Sequence, residues 1–185
     1  MTRTLILGGA RSGKSGYAER CAAATGRQVV YIATGTGGDE EMRSRIAHHQ
    51  QRRPADWIVV EEPVELGAAL MKWCTPDHIV IVDCLTLWLT NLLFSGAADY
   101  PDVGPIPIPD RFYQERARFL QALTQAAGDL ILVSNEVGMG IVPYGAISRC
   151  FTDEAGRLNQ DAAQCCDRAV LVVAGLPLIL KGAAC

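Results

Sequence analysis

No run of apolar residues in the chain is long enough to cross a bilayer: the longest, 79–82 and 84–94 with its breaks at Thr86, Thr90 and Asn91, fall short of the roughly 20 residues a spanning helix needs. A dominant charge is also missing. With 17 Lys and Arg against 20 Asp and Glu, a net charge of −3 and a pI near 5.6, the chain offers no general attraction to nucleic-acid backbones or anionic lipid. The seven cysteines, Cys21, Cys74, Cys84, Cys150, Cys165, Cys166 and Cys185, are odd in number and include no C-x-x-C pair. Neither a disulfide framework nor a zinc site is implied, and they are expected to be small buried hydrophobes. A glycine-rich motif begins at Gly8, which leaves no room for a leader and points to a reducing cytoplasm. Membrane and nucleic-acid partners are not expected.

What the chain does contain is a core. Its 185 residues, 49% hydrophobic and 20% charged, fit one globular domain over 1–185. Short β-branched and aliphatic runs recur at 4–7, 29–33, 57–60, 79–82, 130–134 and 169–173, as buried strands do. Helix-compatible segments lie between them at 14–24, 39–51, 65–73, 86–94, 111–126 and 153–165. This alternation predicts an α/β fold with a mostly parallel sheet flanked by helices. After the sixth strand, Gly175-Leu176-Pro177 is expected to turn the chain into an antiparallel hairpin partner at 178–181. Residues 95–109, with Gly96, Gly104, Pro101, Pro105, Pro107 and Pro109, read as a mobile loop or lid edge.

Gly8-Gly9-Ala10-Arg11-Ser12-Gly13-Lys14-Ser15 matches G-x-x-x-x-G-K-[ST], with a predicted strand before it and a predicted helix after it. In that setting backbone N–H groups and the helix N-terminus face a β-phosphate. Lys14 then spans β- and γ-oxygens, and the Ser15 hydroxyl ligates Mg²⁺. A P-loop of this kind also needs a carboxylate at a neighbouring strand end. Asp83, closing 79–82, is the candidate, with a helix cap as its other reading. Asn135 and Glu136 end another strand and either organise the γ-phosphate region or form a turn. Gly138, Gly140 and Pro143 suggest a rigid loop that could floor a substrate site. Trp57, Trp73 and Trp88 are expected in the core or at an interface.

Arg43, Arg45, His48, His49, Arg52 and Arg53 concentrate on and just beyond one predicted helix. Arg45 shares a face with His48 and His49. The cluster reads as a solvated basic helix, as phosphate contacts, or as the source of a histidine nucleophile for nucleotidyl transfer.

Several blocks occur in the order found in one family: the loop just described, Tyr31-Ile32-Ala33-Thr34, Arg45-Ile46-Ala47-His48-His49, and Asp83-Cys84-Leu85-Thr86-Leu87-Trp88-Leu89-Thr90-Asn91. They are followed by Asn135-Glu136-Val137-Gly138-Met139-Gly140-Ile141-Val142-Pro143 and Gly156-Arg157-Leu158-Asn159-Gln160. Together they resemble the bifunctional adenosylcobinamide kinase / adenosylcobinamide-phosphate guanylyltransferase family, whose fold is a RecA-like P-loop NTPase. The 135–143 block is far more specific than the P-loop, which many functions share.

The resemblance implies phosphorylation of adenosylcobinamide with ATP or GTP, followed by transfer of GMP from GTP to adenosylcobinamide phosphate through a guanylylated histidine. By position that nucleophile is His48, with His49, Gln50, Gln51 and Arg52 as nucleotide contacts beside it. Ala33, Thr34 and Gly35 are implied as further contacts, as is Glu61, with Glu62 adjacent. Asp83 stands where some relatives have glutamate, and either can hold a metal through water. The family is trimeric, so a homo-oligomer is expected. Two other functions fit the P-loop alone: a small-molecule kinase without nucleotidyl transfer, and a RecA-like ATPase that spends nucleotide on motion.

Overall fold

The computed structural model describes residues 1–36, 54–94, 96 and 99–183. Its strands are β1 (Arg3–Gly8), β2 (Gln28–Ala33), β3 (Ile58–Glu61), β4 (His78–Asp83), β5 (Asp129–Asn135), β6 (Arg168–Val173) and β7 (Leu176–Lys181). They form one sheet in the order β3-β2-β4-β5-β1-β6-β7. All neighbours pair in parallel except β6 and β7. The helices among the described residues are α1 (Lys14–Ala23), α2 (Leu66–Trp73), α3 (Leu85–Phe94), α4 (Asp110–Gln125) and α5 (Ala146–Cys165).

The apolar strands are continuous because both faces of the sheet are covered. Leu5, Val30, Ile32, Val80, Val82, Leu130 and Leu132 point to one side and pack with α2, α3, α4 and α5. The alternate residues Ile6, Val29, Tyr31, Ile79, Ile81, Ile131 and Val133 point to the other, where α1 lays Ala18 and Ala22 against them. Small residues on that helix let its axis approach the sheet closely. Trp88 is buried and donates its indole N–H to the Val64 carbonyl at 2.8 Å.

Helices α2 and α4 touch backbone to backbone at Gly67, where a Cβ would lie 2.8 Å from the Arg118 carbonyl carbon. Gly67→Ala is therefore expected to lower the unfolding free energy by about 1–3 kcal/mol through overpacking, although alanine is the better helix former. Gly156→Ala in α5, where nothing lies within 4 Å of the new atom, is expected to raise it by up to about 1 kcal/mol. Urea unfolding at unchanged m-value reads both signs. A stabilising Gly67→Ala would show that the helix contact does not require glycine.

The structure corrects two of the sequence expectations. Helix α5 begins at Ala146 rather than near 153. Its first two turns carry Ile147, Cys150, Phe151 and Thr152, weak helix formers, and tertiary contacts hold them. The Ala146 N–H donates to the Asp102 carbonyl at 3.1 Å, Arg149 donates to the Pro143 and Tyr144 carbonyls, and the Phe151 ring packs 6.3 Å from that of Phe94. The C-terminal hairpin turns at Ala174 and Gly175, both with positive φ (52° and 79°), as a tight two-residue hairpin turn requires. Leu176 and Pro177 already belong to β7. An edge strand tolerates a proline because one side of its ladder is unpaired.

Within 95–109 the described residues form no helix or strand, yet Ile108 packs against the core and Asp102 caps α5. The helix expected over 39–51 and Cys185 lie outside the described residues. The other six cysteines are free thiols, with Cys74, Cys84 and Cys166 buried. Burial pushes the Cys166 thiol up to about 12, so it stays protonated at neutral pH. No helix among the described residues is long and apolar enough to cross a membrane.

Candidate nucleotide site

Parallel strands bring their carboxyl ends to one edge of the sheet, where ligands of open α/β folds bind. Here that edge carries Gly8, Ala33, Glu61, Asp83 and Asn135. Gly8 stands opposite Asn135, Ala33 opposite both Glu61 and Asp83, and Asp83 opposite Val133.

The loop from Gly8 to Ser15 is shaped by close approaches that exclude side chains. A Cβ on Gly8 would lie 2.4 Å from Ser12 Oγ and 2.6 Å from the Val172 carbonyl oxygen. Gly13 caps α1 with φ 93°, and a Cβ there would sit 3.1 Å from Gly175 Cα. Arg11 also has positive φ, at 57°. The Ser12 N–H donates to the Gly9 carbonyl at 3.2 Å, and the Ser12 carbonyl accepts the Gly175 N–H at 2.8 Å, so the β6–β7 turn rests on this loop. Lys14 is buried and donates to the Gly9 carbonyl at 3.3 Å. Ser15 is half-buried in the first turn of α1, and that turn has no acidic residue to offset the helix dipole. Ser12 Oγ is buried with no hydrogen-bond partner among the described residues, and a donor of this kind inside a phosphate loop has an anion as its natural partner.

Asp83 Oδ2 accepts the Tyr31 phenol at 2.6 Å. No N–H of α3 donates to it among the described residues, so the carboxylate is held by Tyr31 rather than engaged in capping the helix. The Asp83–Cys84 peptide bond is cis. Thr34 clasps the next residue: its hydroxyl donates to the Cys84 carbonyl at 2.7 Å and accepts the Cys84 N–H at 2.9 Å. The Thr34 side chain is thus buried and committed to holding Cys84, next to Asp83, and only Ala33 and Gly35 are part-exposed from that segment. Beside Asp83, burial and then the Asp83 charge raise the Cys84 thiol above its ordinary range.

The two glutamates after β3 differ in employment. Glu62 Oε1 accepts the N–H groups of Val64 and Glu65, at 3.0 and 2.7 Å, and shapes the turn into α2. Glu61 is exposed at the edge.

A buried polar network missed in the sequence lies beneath the loop. Asn135 Nδ2 donates to Thr86 Oγ1 at 2.7 Å, which lies 3.1 Å from Cys84 Sγ. Asn159 donates to the Asn135 carbonyl at 3.2 Å and accepts the Ser134 hydroxyl at 2.7 Å. The available signal was polar residues set into otherwise apolar stretches at Thr86, Ser134 and Asn159. Strand β5 lies between β1 and β4, so this network joins the phosphate loop to the strand that carries Asp83. His48, His49, Gln50, Gln51 and Arg52 lie outside the described residues.

Comparison with known proteins agrees with this geometry at two levels. Among solved structures, an ATPase from the type III secretion system of pathogenic bacteria has a TM-score of 0.54 at 13% identity, covering 96% of this chain and 56% of that one. The assembled ATPase EscN of an enteropathogenic E. coli type III secretion system has a TM-score of 0.52 at 13% identity, over 94% of this chain and 43% of that one. These likenesses show the RecA-like P-loop fold and nothing finer. In sequence, the chain is 51% identical over 180 residues to the bifunctional adenosylcobalamin biosynthesis protein CobP of Pseudomonas aeruginosa, covering 97% of this chain and 98% of that protein. It is 40% identical over 179 residues to the CobU protein of Salmonella typhimurium, which bears the same description, covering 96% and 98%. Residues 4–180 match the family model described as cobinamide kinase / cobinamide phosphate guanyltransferase. A phosphate loop, a facing aspartate and family-wide similarity over almost the full length lead to one conclusion: the chain belongs to the cobinamide kinase / cobinamide phosphate guanyltransferase family.

Proposed function

We propose that the chain phosphorylates the hydroxyl of adenosylcobinamide with ATP or GTP, then transfers GMP from GTP to adenosylcobinamide phosphate through a guanylylated His48. The observation that carries this reading is the loop 8–15, with Lys14 buried behind it and Asp83 across β5, in a chain 51% identical to a bifunctional relative. Backbone N–H groups of residues 9–13 and the N-terminus of α1 hold the phosphates, and Lys14 bridges β- and γ-oxygens. His48 attacks the α-phosphate in the second reaction, with His49, Gln50, Gln51 and Arg52 beside it and the backbone of 33–35 completing the site.

No cluster of three or more His, Cys, Asp or Glu among the described residues could hold a metal by itself. A cation at this edge is then shared with phosphate oxygens, as Mg²⁺ commonly is. The oxygens of Ser15 and Asp83 suit that ion and would hold it. When bound, Mg²⁺ neutralises charge on the β- and γ-oxygens.

Incubating the protein with GTP labelled at the α-phosphate tests the reading. Acid-labile label on the protein is expected, and a kinase without nucleotidyl transfer would give none.

Guanine selection falls to Glu61, because Glu62 is occupied with the turn into α2. Guanine presents N1–H and an exocyclic amine to a carboxylate, whereas adenine would leave that charge unmatched. Sites built on such a match discriminate by roughly 10⁴-fold or more. Glu61→Gln is expected to erode the GTP-over-ATP preference in the labelling assay and leave Lys14-dependent triphosphate binding intact. An unchanged ratio would return Glu61 to the surface.

Self-association into a homo-oligomer, a trimer by family, belongs to the same proposal. The edge strand β7 supports it, since Leu176, Leu178 and Leu180 are all more than half exposed and long apolar edges of this kind are normally covered.

A further inference from the structure

Just beyond β5 stands a carboxylate, Glu136, to which the proposed function gives no part. The Glu136 N–H donates to the Gly8 carbonyl at 3.1 Å, which pins this residue beside the first glycine of the phosphate loop. Its Oε1 accepts the Gly138 N–H at 2.8 Å, and Oε2 makes no hydrogen bond among the described residues. The backbone beneath it is fixed by the Asn135–Thr86 and Asn159–Asn135 hydrogen bonds.

A negative residue whose backbone is hydrogen-bonded to a loop built for triphosphate oxygens opposes the anion bound there. A neutral residue would serve binding better, so the charge calls for a chemical reason. Topology supplies one. Because β5 lies between the loop strand and the Asp83 strand, a terminal phosphate gripped by Lys14 and facing Asp83 passes over the tip of β5. On the other side of Glu136 the chain runs into a loop that exposes Met139, Ile141, Val142 and Tyr144. Such a surface suits the apolar body of a large alcohol rather than a nucleotide. Glu136 thus stands where the two reactants meet.

We propose that Glu136 is the general base of the phosphorylation half-reaction, an assignment that rests on the function proposed above. The substrate hydroxyl oxygen attacks the γ-phosphorus, and the new O–P bond forms as the bond from that phosphorus to the β,γ-bridging oxygen breaks. The hydroxyl proton passes to Glu136 Oε2, and the nucleoside diphosphate leaves with the electron pair of the broken bond. Glu136 then returns its proton to water. Attack of a histidine on the α-phosphate has no hydroxyl proton to remove, so the guanylylation of the enzyme does not use this group.

The test compares the full chain with its Glu136→Gln and Glu136→Asp variants. A glutamine keeps an amide oxygen for the Gly138 N–H and so preserves the turn, but it cannot take a proton. In Glu136→Gln, kcat for adenosylcobinamide phosphorylation with ATP is expected to fall by about 10²–10⁴-fold with little change in either KM. Labelling of the same variant by GTP carrying α-phosphate label should proceed at the wild-type rate, which also reports an intact fold and phosphate loop. Glu136→Asp should retain more kinase activity than Glu136→Gln. An unchanged kinase kcat in Glu136→Gln, or loss of kinase and labelling together with the Asp variant no better, overturns the assignment. A wild-type chain that leaves adenosylcobinamide unphosphorylated overturns the functional reading itself, and the base with it.

Discussion

Replacing Lys14 with alanine is expected to eliminate both activities, each by about 10³-fold or more, as loss of a preorganised charge on a transferring phosphate does. On the function proposed above both reactions begin with a triphosphate in the same loop, and Lys14 is the cation that would meet its β- and γ-oxygens. The fold should survive. The side chain gives up only a 3.3 Å hydrogen bond to the Gly9 carbonyl, and alanine is the strongest helix former at the start of α1. Turnover of nucleotide with adenosylcobinamide, measured beside thermal unfolding, separates the two effects. Near-normal kinase turnover in a folded Lys14→Ala variant would remove the loop from the chemistry.

His48→Ala should instead divide the activities. Transfer of a γ-phosphoryl group to an alcohol needs no covalent nucleotide, whereas GMP transfer through the enzyme does. The variant is expected to make adenosylcobinamide phosphate at close to the wild-type rate. It should carry no acid-labile guanylyl label and release no adenosyl-GDP-cobinamide. His49→Ala should keep the label. The reverse outcome, label lost with His49 and kept without His48, would move the nucleophile by one residue.

How much of this could be read from the sequence depended on whether a feature was local. The strands of the sheet were placed to within a residue or two because burial on both faces leaves continuous apolar runs. The phosphate loop is equally plain, since its glycines, lysine and serine are contiguous in sequence, although Val172 and Gly175, which press on Gly8 and Gly13, are not announced by any local pattern. Helix α5 was seen only from its eighth residue, because Ala146–Thr152 is helical through contacts with Asp102, Pro143 and Phe94, which no local pattern announces. The hairpin expected from the sequence turns one residue late and starts its second strand two residues late. Gly-Leu-Pro looks like a turn, but Ala174 and Gly175 adopt the left-handed conformation that bends the chain.

Within the site the same division holds. Asp83 is legible as the end of an apolar strand, but that the Thr34 side chain holds its neighbour is not. Its hydroxyl is spent on Cys84, fifty positions away in sequence. Glu61 and Glu62 are indistinguishable in a sequence, and only the hydrogen bonds from Val64 and Glu65 show which one is already engaged. The Thr86–Asn135–Asn159–Ser134 network joins segments brought together by the strand order alone.

The contact between the Gly175 N–H and the Ser12 carbonyl makes the last strand an extension of the first motif. The floor of the phosphate cradle is shared between segments far apart in the chain, since Gly8 and Gly13 are pressed against Val172 and Gly175. The carboxyl-terminal hairpin is therefore no neutral place to trim, tag or fuse. A change that pulls β7 away is expected to loosen the loop, and a neighbour that steadies β7 to firm it without touching a ligand.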